Sequence, residues 1–160
     1  MIFVTVGSDV PFDRLVKIVD AWAERSGRSD VFAQIGNTTW KPSSIRFTQF
    51  LEPGEYAKCM QQARCVVAHA GMGTILTALE AGIPILVLPR RGHLGETRND
   101  HQYATARHLS ASGKITVAMD DAELATMLDN IDSILVRDRI GPHASSSLTD
   151  AIREFIHASR

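Results

Sequence analysis

Residues 66–90 read "VVAHAGMGTILTALEAGIPILVLPR", and this stretch decides how the rest of the chain is taken. A β-rich apolar run ends at His69, and two glycines, Gly71 and Gly73, flank Met72. A helical stretch follows over 74–81, then a second apolar run, "IPILVLP", over 83–89. Strand, tight corner, helix and strand make a βαβ unit, with parallel strands and a right-handed crossover. The glycines clear side chains from the corner, so the first amides of the helix can face an anion, helped by the helix dipole. A strand-to-helix corner also needs glycine for its geometry alone, and the motif by itself leaves both readings open.

The same alternation extends in both directions. "IFVTV" (2–6) reads as a first strand, followed by a helix in which Phe12, Leu15, Val16, Val19 and Trp22 or Ala23 recur at helical spacing before Gly27. "VFAQIG" (31–36) and "IRFTQFL" (45–51) read as strands around a polar loop in which Trp40 covers the core edge. A helix from Pro53, "PGEYAKCMQQA", leads into the strand "CVVAH" (65–69). Beyond residue 90 the pattern predicts a helix over about 100–112, a strand "KITVAM" (114–119) and a helix over 121–131. A hinge-like "GPHASSS" then precedes a last helix over 148–160. Such alternation predicts an α/β fold: one Rossmann-like, doubly wound parallel sheet over residues 1–160.

The chain has 160 residues and a net charge of −1, without the basic face that nucleic-acid binding requires. Cys59 and Cys65 fit neither a metal knuckle nor a disulfide framework, which favours a reduced, cytoplasmic chain. "MIFVTVGSD" has no basic region before its apolar run, so it reads as a strand and not as a signal peptide. No apolar run reaches the ~20 residues needed to span a bilayer. Work at a membrane would require recruitment.

In doubly wound sheets ligands sit beyond the carboxyl ends of the strands. Three loops there carry suitable chemistry. "VGSDVPFD" offers close backbone approach at Gly7 and a hydroxyl at Ser8. "HAGMGT" offers Gly71, Gly73 and Thr74, and "PRRGHLGETRNDHQ" offers Arg90, Arg91, His93, His101 and Gln102. His69 is a weak catalytic candidate, since a histidine ending a strand more often belongs to the core or a loop. Glu80 is a solvated helix residue unless its face opens on a cleft, where it could meet sugar hydroxyls. Arg90 and Arg91 read by default as a surface pair. A dinucleotide fingerprint fails at Leu76, where the third glycine should stand, although the arginine pair leaves an NADP-dependent oxidoreductase in play. No P-loop, G-x-S-x-G elbow or H-E-x-x-H motif occurs. No D-x-D pair is placed for a metal, and Asp120–Asp121 reads as a helix cap.

Together, "VTVGSDVPFDRLV" (4–16), "QFLEPGEYAKCMQQARCVVAHAGMGTILTALEAGIPILVLPR" (49–90) and "NDHQYATARHLSASGKI" (99–115) resemble the glycosyltransferase family 28 C-terminal domain. The likeness is greatest to stand-alone soluble subunits of two-component glycosyltransferases, eukaryotic ones acting on dolichol-linked precursors and bacterial ones of exopolysaccharide and capsule synthesis. It implies the C-terminal, donor half of a GT-B fold. It also implies a UDP-sugar donor, metal-independent inverting transfer with no cofactor, and a membrane-anchored partner that binds a lipid-linked acceptor and supplies the general base. By the same resemblance Gly7, Ser8, Gly71, Gly73 and Thr74 face the diphosphate, with His69 leading into the second turn. Phe50 and Leu51 match the uracil contacts, Glu80 the ribose carboxylate, and His101 with Gln102 the sugar-reading pair. Ser8 departs from the threonine of many relatives while keeping the hydroxyl. The tail over 146–160 is expected at the partner interface, or at a contact between copies when the chain is isolated. A non-catalytic UDP-sugar-binding regulatory module is the competing expectation.

Overall fold

β1 (Ile2–Thr5) lies at the centre of a six-stranded sheet, hydrogen-bonded on one side to β2 (Val31–Gln34) and on the other to β4 (Cys65–His69). The computed structural model describes residues 1–8, 10–136, 139–141 and 146–158. β3 (Arg46–Thr48), β5 (Ile85–Leu88) and β6 (Thr116–Val117) complete the order β3-β2-β1-β4-β5-β6, with every pairing parallel. The chain reverses its winding between β1 and β4, and that reversal opens a crevice beyond their carboxyl ends. This is the doubly wound α/β sheet expected from the sequence.

Period-two alternation sends successive side chains to opposite faces. Ile2, Val4, Val67, Leu86 and Leu88 pack against α1 (Asp13–Ser26) and α5 (Asp121–Asp129). Phe3, Val66, Ala68, Ile85 and Val87 pack against α2 (Pro53–Gln62), α3 (Met72–Ala81) and α4 (His101–Ala111) on the other face. Both faces of the central strands are buried, which is why they read as nearly continuous apolar runs. Trp40 packs on the first cluster, under the ammonium of Lys17 at 5.6 Å. α6 (Ser146–Ala158) begins two residues before the expected helix, whose last two residues, 159–160, lie outside the described residues, as do 142–145 of the expected hinge.

Boundaries moved where burial and pairing part company. The run 83–89 pairs over four residues, because Pro84 and Pro89 have no N–H to donate. The run 45–51 pairs only over Arg46–Thr48, since Glu52 already forms a capping box with Glu55 for α2. The run 114–119 pairs only at Thr116–Val117, and Met119 N–H turns instead to the Glu123 carboxylate. α5 ends at Asp129, before a single turn of 3₁₀-helix at Ile131–Ser133. α3 begins at Met72, two residues earlier than expected, with Gly71 as its N-cap.

Two polar devices hold the frame. At the amino ends of the strands Arg28 bonds Asp30 (2.9 Å) and Asp132 (3.0 Å), and Arg64 bridges the same two carboxylates. On α1, buried Asp20 accepts hydrogen bonds from the amides of Ser43, Ser44 and Ile45 and from the Ser43 hydroxyl, fixing the chain just before β3. Asp20→Ala leaves those amides without an acceptor and is expected to lower stability by about 3 kcal/mol, read from denaturant unfolding.

Candidate functional site

A cleft of about 270 Å³ lies at the switch point. The end of β1 contributes Val6, Gly7, Ser8 and Val10, and the end of β4 contributes His69, Gly71, Gly73 and Thr74. The third wall is Arg90, Thr97, His101 and Gln102. The structure therefore brings together Gly7, Ser8, His69, Gly71, Gly73, Thr74, His101 and Gln102 of the expected site. No carboxylate stands among the described lining residues, while a buried guanidinium does, so the cleft suits an anion.

The α3 terminus adds to this. Gly71 supplies no side-chain cap, and the first i→i−4 bond runs from Ile75 N–H to Gly71 C=O at 3.1 Å. The amides of Met72, Gly73 and Thr74 precede that bond and point out of the helix end. The Thr74 hydroxyl lies 3.3 Å from the Tyr56 hydroxyl, which orients it.

The two glycine loops are joined by His69. A Cβ on Gly7 would stand 2.7 Å from His69 Nε2, and one on Gly71 would stand 2.1 Å from Cε1. Gly7 is also left-handed, with φ +78, whereas Gly71 at φ −81 has backbone angles open to any residue. Gly71 is thus a glycine for want of space. Between them the two glycines admit an imidazole.

Hydrogen bonding sets the state of that imidazole. The Arg90 backbone N–H donates to Gln102 Oε1 at 3.4 Å, so the Gln102 amide nitrogen faces His69 and donates to Nδ1, also at 3.4 Å. Nδ1 then accepts and the proton sits on Nε2. Burial, reinforced by the Arg90 charge, pushes the His69 pKa down to about 4 against the smaller opposing effect of Gln102. His69 is therefore a neutral donor toward the glycine loops and a poor general base.

Gly7 is held at both backbone groups: its N–H donates to Thr5 Oγ1 (3.3 Å) and its C=O accepts from Gln34 Nε2 (3.1 Å). Thr5 Oγ1 donates in turn to Gln34 Oε1 at 2.6 Å. Thr5 and Gln34 were missed in the sequence because a threonine in "IFVTV" reads as an ordinary β-branched strand residue. Arg90 corrects an expectation outright. It is 2 % exposed, not a surface residue, and its guanidinium bonds backbone carbonyls. Arg91 packs on Tyr103 at 4.2 Å and donates to the Met119 carbonyl. Neither arginine is presented to a nucleotide 2′-phosphate, which removes the feature that kept an NADP site in play.

Three expected contacts lie elsewhere. Glu80 does not line the cleft: α3 starts at Met72, so Glu80 falls about 12 Å along the helix axis from its first residue. It borders a separate, open depression with Arg139, Ile140 and Gly141, and its carbonyl accepts from Arg139 Nε at 2.8 Å. Phe50 is half exposed outside the cleft, and Leu51 packs against the second core cluster. His101 is exposed beside Asn99, and Gln102 is buried with both ends of its amide engaged. Asp120 caps α5 as expected, accepting from Glu123 N–H at 2.8 Å. Among the described residues, no group of three or more His, Cys, Asp or Glu comes together that could hold a metal ion.

Residues 1–139 match the family model of the glycosyltransferase family 28 C-terminal domain. The chain belongs to this family. Among its relatives, the mouse (Mus musculus) UDP-N-acetylglucosamine transferase subunit ALG13 is 33% identical over 123 residues, or 71% of this chain and 10% of the mouse protein. The family 28 chain thus spans about a tenth of the length of the curated relatives it matches. Acinetobacter baumannii MurG superposes with a TM-score of 0.64 at 18% identity, covering 95% of this chain and 49% of MurG. An NMR structure of ALG13 superposes at 0.60 with 16% identity, covering 94% of this chain and 93% of that one. At those identities the likeness is one of fold, that of GT-B glycosyltransferases.

Two outcomes test this family member's cleft. Because the folded chain resists protonating His69, the unfolded chain binds the extra proton between pH 6.5 and about 4. Stability is complete above pH 6.5 and falls as pH drops through that window, by about 2–3 kcal/mol from this group. In His69→Asn that part of the slope disappears, which urea titrations at several pH values measure. Gly71→Ala is expected to cost about 2 kcal/mol or more in wild type and less than half as much in a His69→Ala background.

Proposed function

We propose that this chain is the donor-binding catalytic subunit of a UDP-sugar-dependent, inverting glycosyltransferase. The observation that carries the reading is the cleft of a family 28 chain at its switch point. Two glycine loops, a helix N-terminus and a buried cation converge there on a space suited to a diphosphate. As the glycosidic bond breaks, negative charge develops on the β-phosphate of the leaving UDP. The amides of Met72–Thr74, the hydroxyls of Ser8 and Thr74, and the N–H of neutral His69 are arranged to stabilise it. These groups can do so without a metal ion. His101 is left to meet the donor sugar, since Gln102 is engaged within the protein.

Among the described lining residues, His69 is not placed to act as a general base. His69 keeps its proton on Nε2 and has its other nitrogen occupied, so activation of the acceptor falls to a second chain. We assign that chain to a membrane-anchored partner holding a lipid-linked acceptor at the cytoplasmic face. Among the described residues no helix is long and apolar enough to cross a membrane. α6 supports a partner: Leu148, Ile152, Phe155 and Ile156 recur at i, i+4, i+7 and i+8 and are each more than half exposed. The same stripe would join copies of the isolated chain.

Calorimetry with UDP tests the donor site. Wild type should bind with or without EDTA, and Ser8→Ala or Thr74→Ala should weaken binding about five-fold, the loss of one hydrogen bond. Glu80→Ala should stay within about two-fold, its carboxylate lying away from the cleft. Failure of wild type to bind UDP or any UDP-sugar would sink the proposal. Sugar transfer to lipid should appear only when the chain is co-expressed with its partner. UDP binding with no transfer in that preparation would favour the regulatory module.

A further inference from the structure

Arg90 lies two residues beyond β5, lines the cleft, and is nonetheless one of the most buried charged groups in the chain. Its two terminal nitrogens reach four backbone carbonyls. One terminal nitrogen donates to Pro11 C=O at 2.7 Å and Glu96 C=O at 3.0 Å. The other donates to Val6 C=O at 2.8 Å and to Val10 C=O. Each terminal nitrogen carries two hydrogens, so all four are committed. Three of the four acceptors belong to the segment between β1 and α1, the segment that carries Gly7 and Ser8.

The surroundings reinforce the grip. The guanidinium lies over the Phe12 ring, 4.7 Å from its centroid, and Arg14 approaches the same ring at 5.2 Å. Arg14 holds the Glu96 carboxylate through two bonds, of 2.7 and 2.8 Å, and the Pro89 carbonyl at 3.0 Å. Glu96 also accepts from the Arg91 N–H at 2.9 Å. Residues 89–96 are thereby clasped to Val6, Val10, Pro11 and Phe12 by two arginines around one phenylalanine. Before this clasp, Gly7 is secured by Thr5 and Gln34. Beyond Gly7, the hydrogen bonds shown for the Val10 and Pro11 carbonyls are those from Arg90.

We propose that Arg90 is a positioning residue whose planar fork, rather than its charge, sets the Gly7–Ser8 loop against the N-terminus of α3. The inference deepens the UDP-sugar reading and rests on it for the ligand, but the loop's order is a property of the free chain. A phosphate oxygen could recruit an Arg90 Nη hydrogen only by releasing one of these four carbonyls, three of which belong to the loop that is meant to bind it. Lysine cannot substitute, because an ammonium directs three hydrogens from one point and has no plane to lay on Phe12.

Arg90→Lys retains the charge and Arg90→Met removes it. In the ligand-free chain, amide exchange at Ser8 and Val10 should quicken about ten-fold or more in both variants, while amides within Ile75–Leu79 of α3 stay protected. UDP affinity should fall about ten-fold or more in both variants. UDP affinity in Arg90→Lys within two-fold of wild type, with loss only in Arg90→Met, would overturn the proposal in favour of charge. Unchanged loop exchange in Arg90→Lys would overturn it directly.

Should neither variant fold, wild-type protein labelled with ¹⁵N decides the matter. The Arg90 Nη protons should exchange slowly and keep their contacts to Val6 and Pro11 when UDP saturates the cleft. Loss of those contacts on UDP binding identifies a direct phosphate ligand and overturns the proposal. If wild type does not bind UDP, the functional reading fails, and loop exchange in the variants still tests the fork.

Discussion

The parallel pairing of β1 with β4 is the constraint on which the remainder depends. Ile2 through Thr5 run in register with Cys65 through Ala68, so the two strands end side by side and their following turns emerge at the same height. The chain winds away from this seam in both directions, which leaves the turns uncovered by any crossover helix. Everything at the cleft follows from that adjacency. Gly7 and Gly71, 64 residues apart in sequence, come to flank one imidazole because their strands are hydrogen-bonded neighbours.

The two ends of the sheet treat charge differently. At the amino ends Arg28 and Arg64 meet Asp30 and Asp132 in a mutually satisfied cluster, and both carboxyls are held below their ordinary range, chiefly by hydrogen bonding to Arg28. At the carboxyl ends the buried cation Arg90 donates to the backbone carbonyls of Val6, Val10, Pro11 and Glu96. Its field extends into the cleft, where it already disfavours a second positive charge on His69. One end is electrically closed. The other sets a buried cation beside the cleft.

Legibility in the sequence followed the range of the physics. Hydrophobic alternation is local, so the parallel sheet, the order of its elements and the three cleft loops could be read, as could the Asp120 cap. Strand limits depended on which amides find partners across the sheet, and Pro84, Pro89 and Glu52 shortened runs that apolarity alone would extend. Glu80 depended on where α3 begins. With α3 starting at Met72, Glu80 stands eight residues along the helix, where its backbone carbonyl meets Arg139 beside a separate depression. Arg90, Thr5 and Gln34 were illegible for a further reason. A buried polar residue is defined by partners that sequence does not place beside it, and Arg90 meets carbonyls some 80 positions away.

The imidazole between two glycines has a consequence for redesign as well as for binding. Neither glycine can gain a side chain while His69 stands, and a smaller residue at 69 would leave a void between two loops shaped to enclose a ring. A change at any one of the three positions is therefore felt at the other two, so the trio behaves as one unit in packing. Redesign of this corner has to treat the three residues together, enlarging a glycine only where the ring at 69 is made smaller.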